Sequence, residues 1–381
     1  MVSPLRLVRP TSLSGLALIG STVAFSLGSP QLAWAAPAVT LAQSSQASLT
    51  EAQQERLDDL LTRGEELVEA GNKTEAIAVY EEAAQLDRDN ARLFSGIGYL
   101  QIQLQDYQAA AAAYRTAISL ESNNLAFRYG LAHSLYQQGA FDAAAEAYQS
   151  IIMLNDQEAD AYLGLAASQM QQGETEAALD TYRQLVAVAP GNVQVYDALG
   201  SHYLAEEDYA QAAGYYLRAV NIDPNRASLH LGLADIALAQ GDDAEARGHL
   251  EKAVAVAPND PQAQFRLGQF LFERGERQAA YDPLALAARL DQNLTPAYAL
   301  LGELQLEREN YIQAVISYRR LVRAVPDDPG AYYNLGLALW GQGQRGGAVS
   351  SMNTAKTLYE RQDNPEGAAR ATELLERWGA R

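Results

Sequence analysis

Apolar residues recur with a period of 34 residues along most of this 381-residue chain. When the sequence is aligned in rows of 34 from Leu57, nine complete rows end at Gln362 without insertion or deletion. Each row holds two apolar stretches with helical spacing, separated by one turn signal and closed by another. The pattern predicts a helix, a turn, a second helix and a second turn in every row. A repeat array therefore replaces the two or three domains that length alone would suggest.

Small residues recur at fixed positions of the row, counted from its first residue. Position 20 is alanine in all nine rows, and position 8 is always glycine or alanine. Position 24 is tyrosine in six rows and leucine or methionine in the others. Because the turn between the two helices is short, we expect them to lie antiparallel. The small residues then allow their axes to approach to about 8–10 Å.

These rows resemble tetratricopeptide (TPR) repeats over residues 57–362. The resemblance implies an all-α, right-handed superhelical solenoid of nine helix-turn-helix repeats over residues 51–362, with a capping helix within residues 363–381. Thr50 and Gln53 form a predicted capping box at the first helix, and Asn364 is a predicted N-cap of the last. In the fifth row the motif is nearly complete, with Tyr196, Leu199, Gly200, Tyr203, Ala212, Tyr216, Ala219 and Pro224.

The first 35 residues differ from the rest of the chain. Arg6 and Arg9 are their only charges, and an apolar stretch and the sequence Ala-Trp-Ala follow. This layout predicts a secretory signal peptide over residues 1–35, followed by a flexible leader over residues 36–50. The alternative is an uncleaved membrane anchor, although the apolar stretch is shorter than the roughly 20 residues that span a bilayer. We expect export to the periplasm or another extracytoplasmic lumen, with no transmembrane span after cleavage.

Composition excludes several chemistries. The chain has no cysteine, which rules out disulfides, thiolate nucleophiles and Cys-ligated zinc, and it has only four histidines. Lys and Arg total 28 against 47 Asp and Glu, for a net charge of −19, which disfavours nucleic acid as a partner. No nucleophile, phosphate-loop or metalloprotease motif is present, so we predict a non-enzymatic protein. The predicted caps at both ends of the array favour a monomer.

Resemblance to the family implies that the first helix of each repeat lines a concave groove. Acidic residues outnumber basic ones on that face, which favours an extended or helical segment of a partner, such as a membrane protein, with apolar anchors and neutral or basic character. The alternative for the apolar members is ordinary helix packing. The candidate groove residues are Tyr99, Tyr129, His133, Tyr136, Met170, Asp197, Asp235, Phe265, Phe272, Tyr333 and Trp340.

One carboxylate cluster is a candidate metal site. Glu303 and Glu307 lie four residues apart on one predicted helix, and Glu273 is on the preceding groove-lining helix. Oxygen ligands of this kind suit a hard cation such as Mn²⁺ or Ca²⁺. The alternative is a solvated acidic surface, because such pairs are common on acidic helices and no ligand-loop motif is present.

Two functions remain open for an exported array of this kind. The first is a scaffold that assists assembly or maturation of a membrane or envelope complex. The exported, acidic, nine-repeat architecture is similar to the cyanobacterial periplasmic processing-associated TPR proteins, and that similarity implies a photosystem II reaction-centre subunit and manganese as partners. The second is a component of an envelope polysaccharide or pilus secretion system, although neither an outer-membrane barrel nor a lipid anchor is evident.

Overall fold

A computed structural model describes residues 49–380 of the chain, so the predicted signal peptide and nearly all of the predicted leader lie outside the described residues. Residues 49–380 form nineteen α-helices and no strand, which confirms the predicted all-α repeat. The helices are α1 (Glu51–Glu69), α2 (Lys73–Leu86), α3 (Ala91–Gln103), α4 (Tyr107–Leu120), α5 (Leu125–Gln137), α6 (Phe141–Leu154), α7 (Ala159–Gln171), α8 (Thr175–Val188), α9 (Val193–Ala205), α10 (Tyr209–Ile222), α11 (Ala227–Gln240), α12 (Asp243–Val256), α13 (Pro261–Glu273), α14 (Arg277–Leu290), α15 (Thr295–Glu307), α16 (Tyr311–Ala324), α17 (Pro329–Gly341), α18 (Arg345–Arg361) and α19 (Pro365–Arg377).

The described residues form two compact units, residues 49–199 and residues 200–380. In the first unit α3 contacts α5, and α5 contacts α7. In the second unit α11, α13, α15 and α17 contact one another in sequence. From α3 to α7 and from α11 to α17 the odd-numbered helices therefore form a row, and the even-numbered helices pack against them. Within residues 49–380, no helix combines the length and apolar character needed to cross a bilayer.

A buried aromatic ring joins neighbouring repeats. The alanine at position 20 is fully buried in all nine repeats, and the residue at position 24 is at most 2% exposed. A Cβ built on Gly98, at position 8, would lie 2.8 Å from the ring of Tyr114. One built on Gly130, at position 6 of the next repeat, would also lie less than 3.0 Å from that ring. Tyr114 thus fills a slot between two odd-numbered helices, and a Cβ added at either glycine would overlap its ring.

The same arrangement recurs in the second unit. Tyr216 lies against Gly200 of its own repeat and Gly232 of the next, with either added Cβ closer than 3.0 Å to its ring. Its hydroxyl group lies 3.0 Å from the hydroxyl of Ser201. The ring therefore contacts both helices of its own repeat and the first helix of the next one, which makes the repeats mutually dependent.

A second inter-repeat contact uses position 4, whose side chain donates a hydrogen bond to a carbonyl at or near the end of the preceding repeat. Tyr196 donates to the Pro190 carbonyl over 3.0 Å, and the Gln264 amide donates to Pro258 over 2.9 Å. The Tyr298 hydroxyl donates to the Ala288 carbonyl over 2.6 Å. These bonds hold three of the inter-repeat loops against the helix that follows them.

The turn within each repeat requires a left-handed residue at position 15. Six repeats place glycine there, with φ between 76° and 87°. The other three repeats place Gln105, Glu207 and Glu309 there, with φ of 62°, 59° and 56°. A side chain in this conformation costs about 1–2 kcal/mol because its Cβ approaches the following carbonyl oxygen.

We expect Gln105→Gly to raise the free energy of unfolding by about 0.5–1 kcal/mol, since relief of the left-handed strain outweighs the added freedom of the unfolded chain. Gly139→Ala, at the same position of the next repeat, is the matched control and should lower the free energy of unfolding by about 1 kcal/mol. Urea denaturation followed by circular dichroism measures both. Destabilisation by Gln105→Gly would contradict this account of the turn.

Both predicted helix caps are present at the ends of the array. Thr50 and Gln53 bond reciprocally at the start of α1, which confirms the capping box. The Asn364 side chain accepts from the Gly367 N–H over 2.9 Å at the start of α19. Trp378 follows α19 and stacks on Trp340, with ring centroids 4.3 Å apart and planes inclined by 6°. The last helix thus covers the apolar side of the final repeat.

Candidate peptide-binding surface

Three predicted groove residues form one stripe on α5. Tyr129, His133 and Tyr136 are spaced by four and then three residues, which places them on one face of the helix. All three are half-buried, so each retains solvent-accessible surface while packing against neighbours. Half-exposed aromatic side chains of this kind can anchor an apolar side chain of a partner.

Neighbouring groups hold the two tyrosines of this stripe in place. The Tyr129 hydroxyl donates to Glu158 Oε2 over 3.0 Å. The Tyr136 ring meets Phe141 edge to face at a centroid distance of 5.4 Å, and its hydroxyl bonds to the Gln171 side chain of α7. Restrained side chains lose little conformational freedom when a partner binds, so the stripe is preorganised.

His133 is the polar member of the stripe. Within residues 49–380, its imidazole has no hydrogen-bond partner. Burial lowers the pKa of His133 below its ordinary value, because the protein interior disfavours the imidazolium charge. The ring is therefore neutral at pH 7 and offers one donor and one acceptor to a ligand.

Carboxylates flank the stripe at the start of α7. Burial and the nearby charge of Glu158 raise the pKa of Asp160. Burial, the hydrogen bond to Glu158 and the charges of Glu158 and Asp160 raise the pKa of Tyr129 well above its usual value. The hydrogen bond places Glu158 beside Tyr129, and Asp160 follows Glu158 by two residues at the start of α7. We use the name α5–α7 surface for Tyr129, His133, Tyr136, Glu158, Asp160 and the half-buried Met170 of α7.

Glu158 was missing from the sequence prediction. It lies in the loop before α7, as the residue that precedes its first turn, whereas the prediction considered helical positions only. The signal that could have found it is its place directly before a predicted groove helix. Of the other candidates in the first unit, Tyr99 on α3 and Asp197 on α9 are half-buried.

The candidates in the second unit are mostly engaged in the structure itself. Phe265, Phe272 and Tyr333 are 5%, 2% and 4% exposed and belong to hydrophobic core clusters, so packing rather than an open surface explains them. Asp235 pairs with Arg266 of the next repeat, whose Nη1 lies 3.3 Å from Asp235 Oδ2. Burial argues against an open groove position for the three aromatic residues, whereas the groove role of Asp235 stays a prediction.

Trp340, the remaining candidate, is half-buried but covered on its ring faces. It stacks on Trp378 and lies under the Arg345 guanidinium, whose central carbon is 3.8 Å from the ring centroid. The Arg345 Nη1 group also donates to the Trp340 carbonyl over 2.8 Å. A partner could stack on a face of this ring only by displacing one of these groups.

The candidate metal ligands do not fit a metal ion. Arg277 Nη1 lies 3.5 Å from Glu303 Oε1 and 3.8 Å from Glu307 Oε1, so one guanidinium compensates both carboxylates. Glu273 instead accepts a hydrogen bond from the Gln269 amide over 3.0 Å. In the part of the chain that the structure describes, no group of three His, Cys, Asp or Glu residues could hold a metal. Glu303 and Glu307 of the predicted cluster therefore belong to an ion-pair network with Arg277.

The helix pairs, their 34-residue period and the small residues at their contacts define a helical repeat protein. Sequence profiles described as tetratricopeptide repeats match residues 64–105, 96–160, 129–193, 203–264, 302–343 and 329–362. The chain belongs to the TPR family. The TPR fold is consistent with protein–protein binding, and TPR proteins are generally non-enzymatic scaffolds.

Similarity to individual proteins is more limited. A TPR repeat-containing protein from Picosynechococcus sp. is 36% identical over 62 residues, which span 16% of this chain and 16% of that relative's length. MamA is 27% identical, with 45% of this chain and 93% of MamA covered and a TM-score of 0.39. The pilF protein of Pseudomonas aeruginosa is 21% identical, with 52% and 90% covered and a TM-score of 0.48.

YrrB, described as a TPR protein with an unusual peptide-binding site, is 23% identical, with 52% of this chain and 99% of YrrB covered and a TM-score of 0.39. All three structural similarities have TM-scores below 0.5, and they provide no basis for transferring a function.

Proposed function

We propose that this protein is an exported, non-enzymatic scaffold that binds a protein segment at the α5–α7 surface. The observation that carries the proposal is the stripe of Tyr129, His133 and Tyr136, which is half-exposed, uncharged at neutral pH and restrained by neighbours. Tyrosine supplies large contact area at low cost in conformational entropy, and it is enriched among residues that dominate binding energies.

The charge around the stripe defines the kind of segment that fits. Glu158 lies beside Tyr129, Asp160 follows at the start of α7, and the described part of α5 and α7 provides only Arg128 as a cation. Arg128 is turned to the loop, where its Nε and Nη2 donate to the Ser122 carbonyl over 2.9 and 2.7 Å. The surface therefore favours a segment with apolar anchors and neutral or basic flanks over an acidic one.

Panning a random peptide library on the full chain tests the site and the charge preference together. We expect enriched peptides to combine aromatic or aliphatic anchors with neutral or basic residues. Tyr136→Ala should weaken their binding about tenfold or more, equivalent to about 1.4 kcal/mol. The matched control is Tyr107→Ala, a half-buried tyrosine that opens α4 and lies outside the α5–α7 surface. Equal affinities of both variants, measured by fluorescence anisotropy, would refute the site.

A charge variant distinguishes electrostatic attraction of the bound peptide from apolar packing against it. We expect Glu158→Gln combined with Asp160→Asn to reduce the advantage of basic peptides and the salt dependence of binding, with the apolar preference kept. Retention of the full basic preference would place the charge recognition elsewhere on the chain.

Export and pathway belong to the same proposal and need measurements in cells. N-terminal sequencing of the mature protein should begin at Ala36, as expected for cleavage after Ala35. A photo-crosslinking residue at position 136 should capture a membrane or envelope protein. A photosystem II reaction-centre subunit would support a role in photosystem assembly. Components of polysaccharide or pilus secretion would support the alternative role.

A further inference from the structure

A cavity of about 430 Å³ lies at the junction of the seventh and eighth repeats, away from the α5–α7 surface. Gln292 and Asn293 of the loop before α15, Thr295 and Tyr298 of α15, and Arg320 and Arg323 of α16 contribute the polar part of its lining. The lining contains two arginines and no carboxylate. Its volume falls within the roughly 300–1,000 Å³ of small-molecule pockets.

Arg320 is fixed in place by the loop. Its Nη1 donates to the Gln292 carbonyl over 2.8 Å and lies 3.3 Å from the Tyr298 hydroxyl. Its Nη2 donates to the Gln292 side-chain oxygen over 3.1 Å, and its guanidinium lies 5.2 Å from the Tyr298 ring centroid. These bonds engage three of its five N–H groups, so the Nε–H and one Nη2–H have no protein acceptor within residues 49–380.

The charge of these two arginines is not neutralised by the protein. Neither Arg320 nor Arg323 has a carboxylate oxygen within 4.0 Å in the described residues, whereas Arg247, Arg266, Arg274 and Arg277 of the same unit all do. The Asp291 carboxylate beside the cavity accepts from the Asn293 N–H over 2.8 Å. Two unpaired arginines in a chain of net charge −19 form a local positive site.

The adjacent helix end adds to this positive potential. The residue that caps α15 is Leu294, which has no side-chain acceptor, whereas aspartates cap α13 and α17. The partial positive charge of the α15 N-terminus is therefore not offset by a capping carboxylate, and Thr295 of that first turn lines the cavity.

The site is specific to one repeat. Arg320 and Arg323 occupy positions 26 and 29 of the eighth repeat, and no other repeat has a cation at both positions. The packing that all repeats share does not require an arginine at position 26, because the other eight repeats fold with Glu, Thr, Ser, Gln, Arg, Lys or Leu there.

We propose that this cavity binds a small phosphate-bearing ligand. Arginine guanidinium groups bind phosphate oxygens through paired, charge-assisted hydrogen bonds. The Asn293 side-chain amide supplies a further donor, whereas the Thr295 hydroxyl and N–H already bond to the Asn293 carbonyl. The cavity exceeds the size of the phosphate itself, so it also accommodates an organic group. The phosphate can belong to a soluble ester or to a lipid headgroup, since both present the same oxygens.

Calorimetric titration of the full chain with inorganic phosphate and with glycerol 3-phosphate tests the site. We expect saturable binding of glycerol 3-phosphate that weakens at least tenfold in Arg323→Gln and in Arg320→Gln. Arg323 makes no hydrogen bond to the protein within residues 49–380, so its replacement leaves the fold intact, which circular dichroism checks. The matched control is Arg319→Gln, an exposed arginine of the same helix that does not line the cavity.

Vesicles of phosphatidylcholine with and without phosphatidylglycerol distinguish the two sources of phosphate. Binding to the soluble ester, or to phosphatidylglycerol vesicles alone, supports the proposal when Arg323→Gln abolishes it and Arg319→Gln does not. Equal losses in both variants would indicate general charge attraction and overturn the site. The absence of binding to every probe would overturn it as well, and neither result bears on peptide binding at the α5–α7 surface.

Discussion

Tyr148→Ala is expected to lower the free energy of unfolding by about 3–5 kcal/mol, the range for removal of a large buried aromatic side chain. The Tyr148 ring is fully buried, and it lies so close to Gly164 of the next repeat that an added Cβ there would be less than 3.0 Å away. Its removal opens a cavity between two repeats and removes contacts on both sides. Urea denaturation followed by circular dichroism measures the loss.

Tyr148→Phe is the control, because it keeps the ring and removes only the hydroxyl. That hydroxyl is buried and has no hydrogen-bond partner within residues 49–380. Burial of a polar group without a partner costs about 1–3 kcal/mol, so we expect phenylalanine to leave stability unchanged or to raise it. A loss comparable to that of alanine would show that the hydroxyl, rather than ring packing, joins the repeats.

Gly130→Ala is expected to lower the free energy of unfolding by about 1–3 kcal/mol, since the new Cβ would overlap the buried ring of Tyr114. Gly96→Ala is an internal control at the same position of the preceding repeat. No atom lies within 4 Å of the Cβ that it adds. Because alanine is the better helix former by about 0.5–1 kcal/mol, Gly96→Ala should stabilise the protein.

A double variant tests the cause of the Gly130 effect. Leu250 and Leu284 replace the tyrosine at position 24, and the residues that follow them at position 6 are the bulky Arg266 and Leu300. Tyr114→Leu should therefore recover part of the stability lost in Gly130→Ala. Strict additivity of the two losses would show that Gly130 is required for another reason.

The sequence was sufficient to predict the helices, the turns and the buried positions 8, 20 and 24, because a strict period repeats the same evidence nine times. The pairing of positions 24 and 6 was also visible in it. Glycine or alanine at position 6 follows the tyrosines of five repeats, and bulky residues follow the two leucines. This pairing is harder to recognise than the fixed positions, because it links residues of adjacent rows that do not share a position in the 34-residue period.

The candidate site was harder to predict than the fold. The position of a residue on a helix predicts which way its side chain points, but it does not predict how deeply that side chain is buried. Tyr129 and Phe265 share position 5, yet the first is half-buried and the second is 5% exposed. The net charge of a surface is also hard to predict from the sequence, because ion pairs form between residues of different helices. Arg277 lies on a different helix from Glu303 and Glu307, and their pairing depends on how successive repeats pack.

The tyrosine slot restricts how such an array can change by recombination. The repeat of Tyr114, which has tyrosine at position 24, is followed by a repeat with a small residue, Gly130, at position 6. A repeat with leucine at position 24, such as that of Leu284, precedes a bulky Leu300. Unequal crossing-over that joins the first kind to the successor of the second would place a large side chain against a buried ring. These two kinds of junction are thus not interchangeable, and a duplication persists most readily when it copies a junction together with both of its sides.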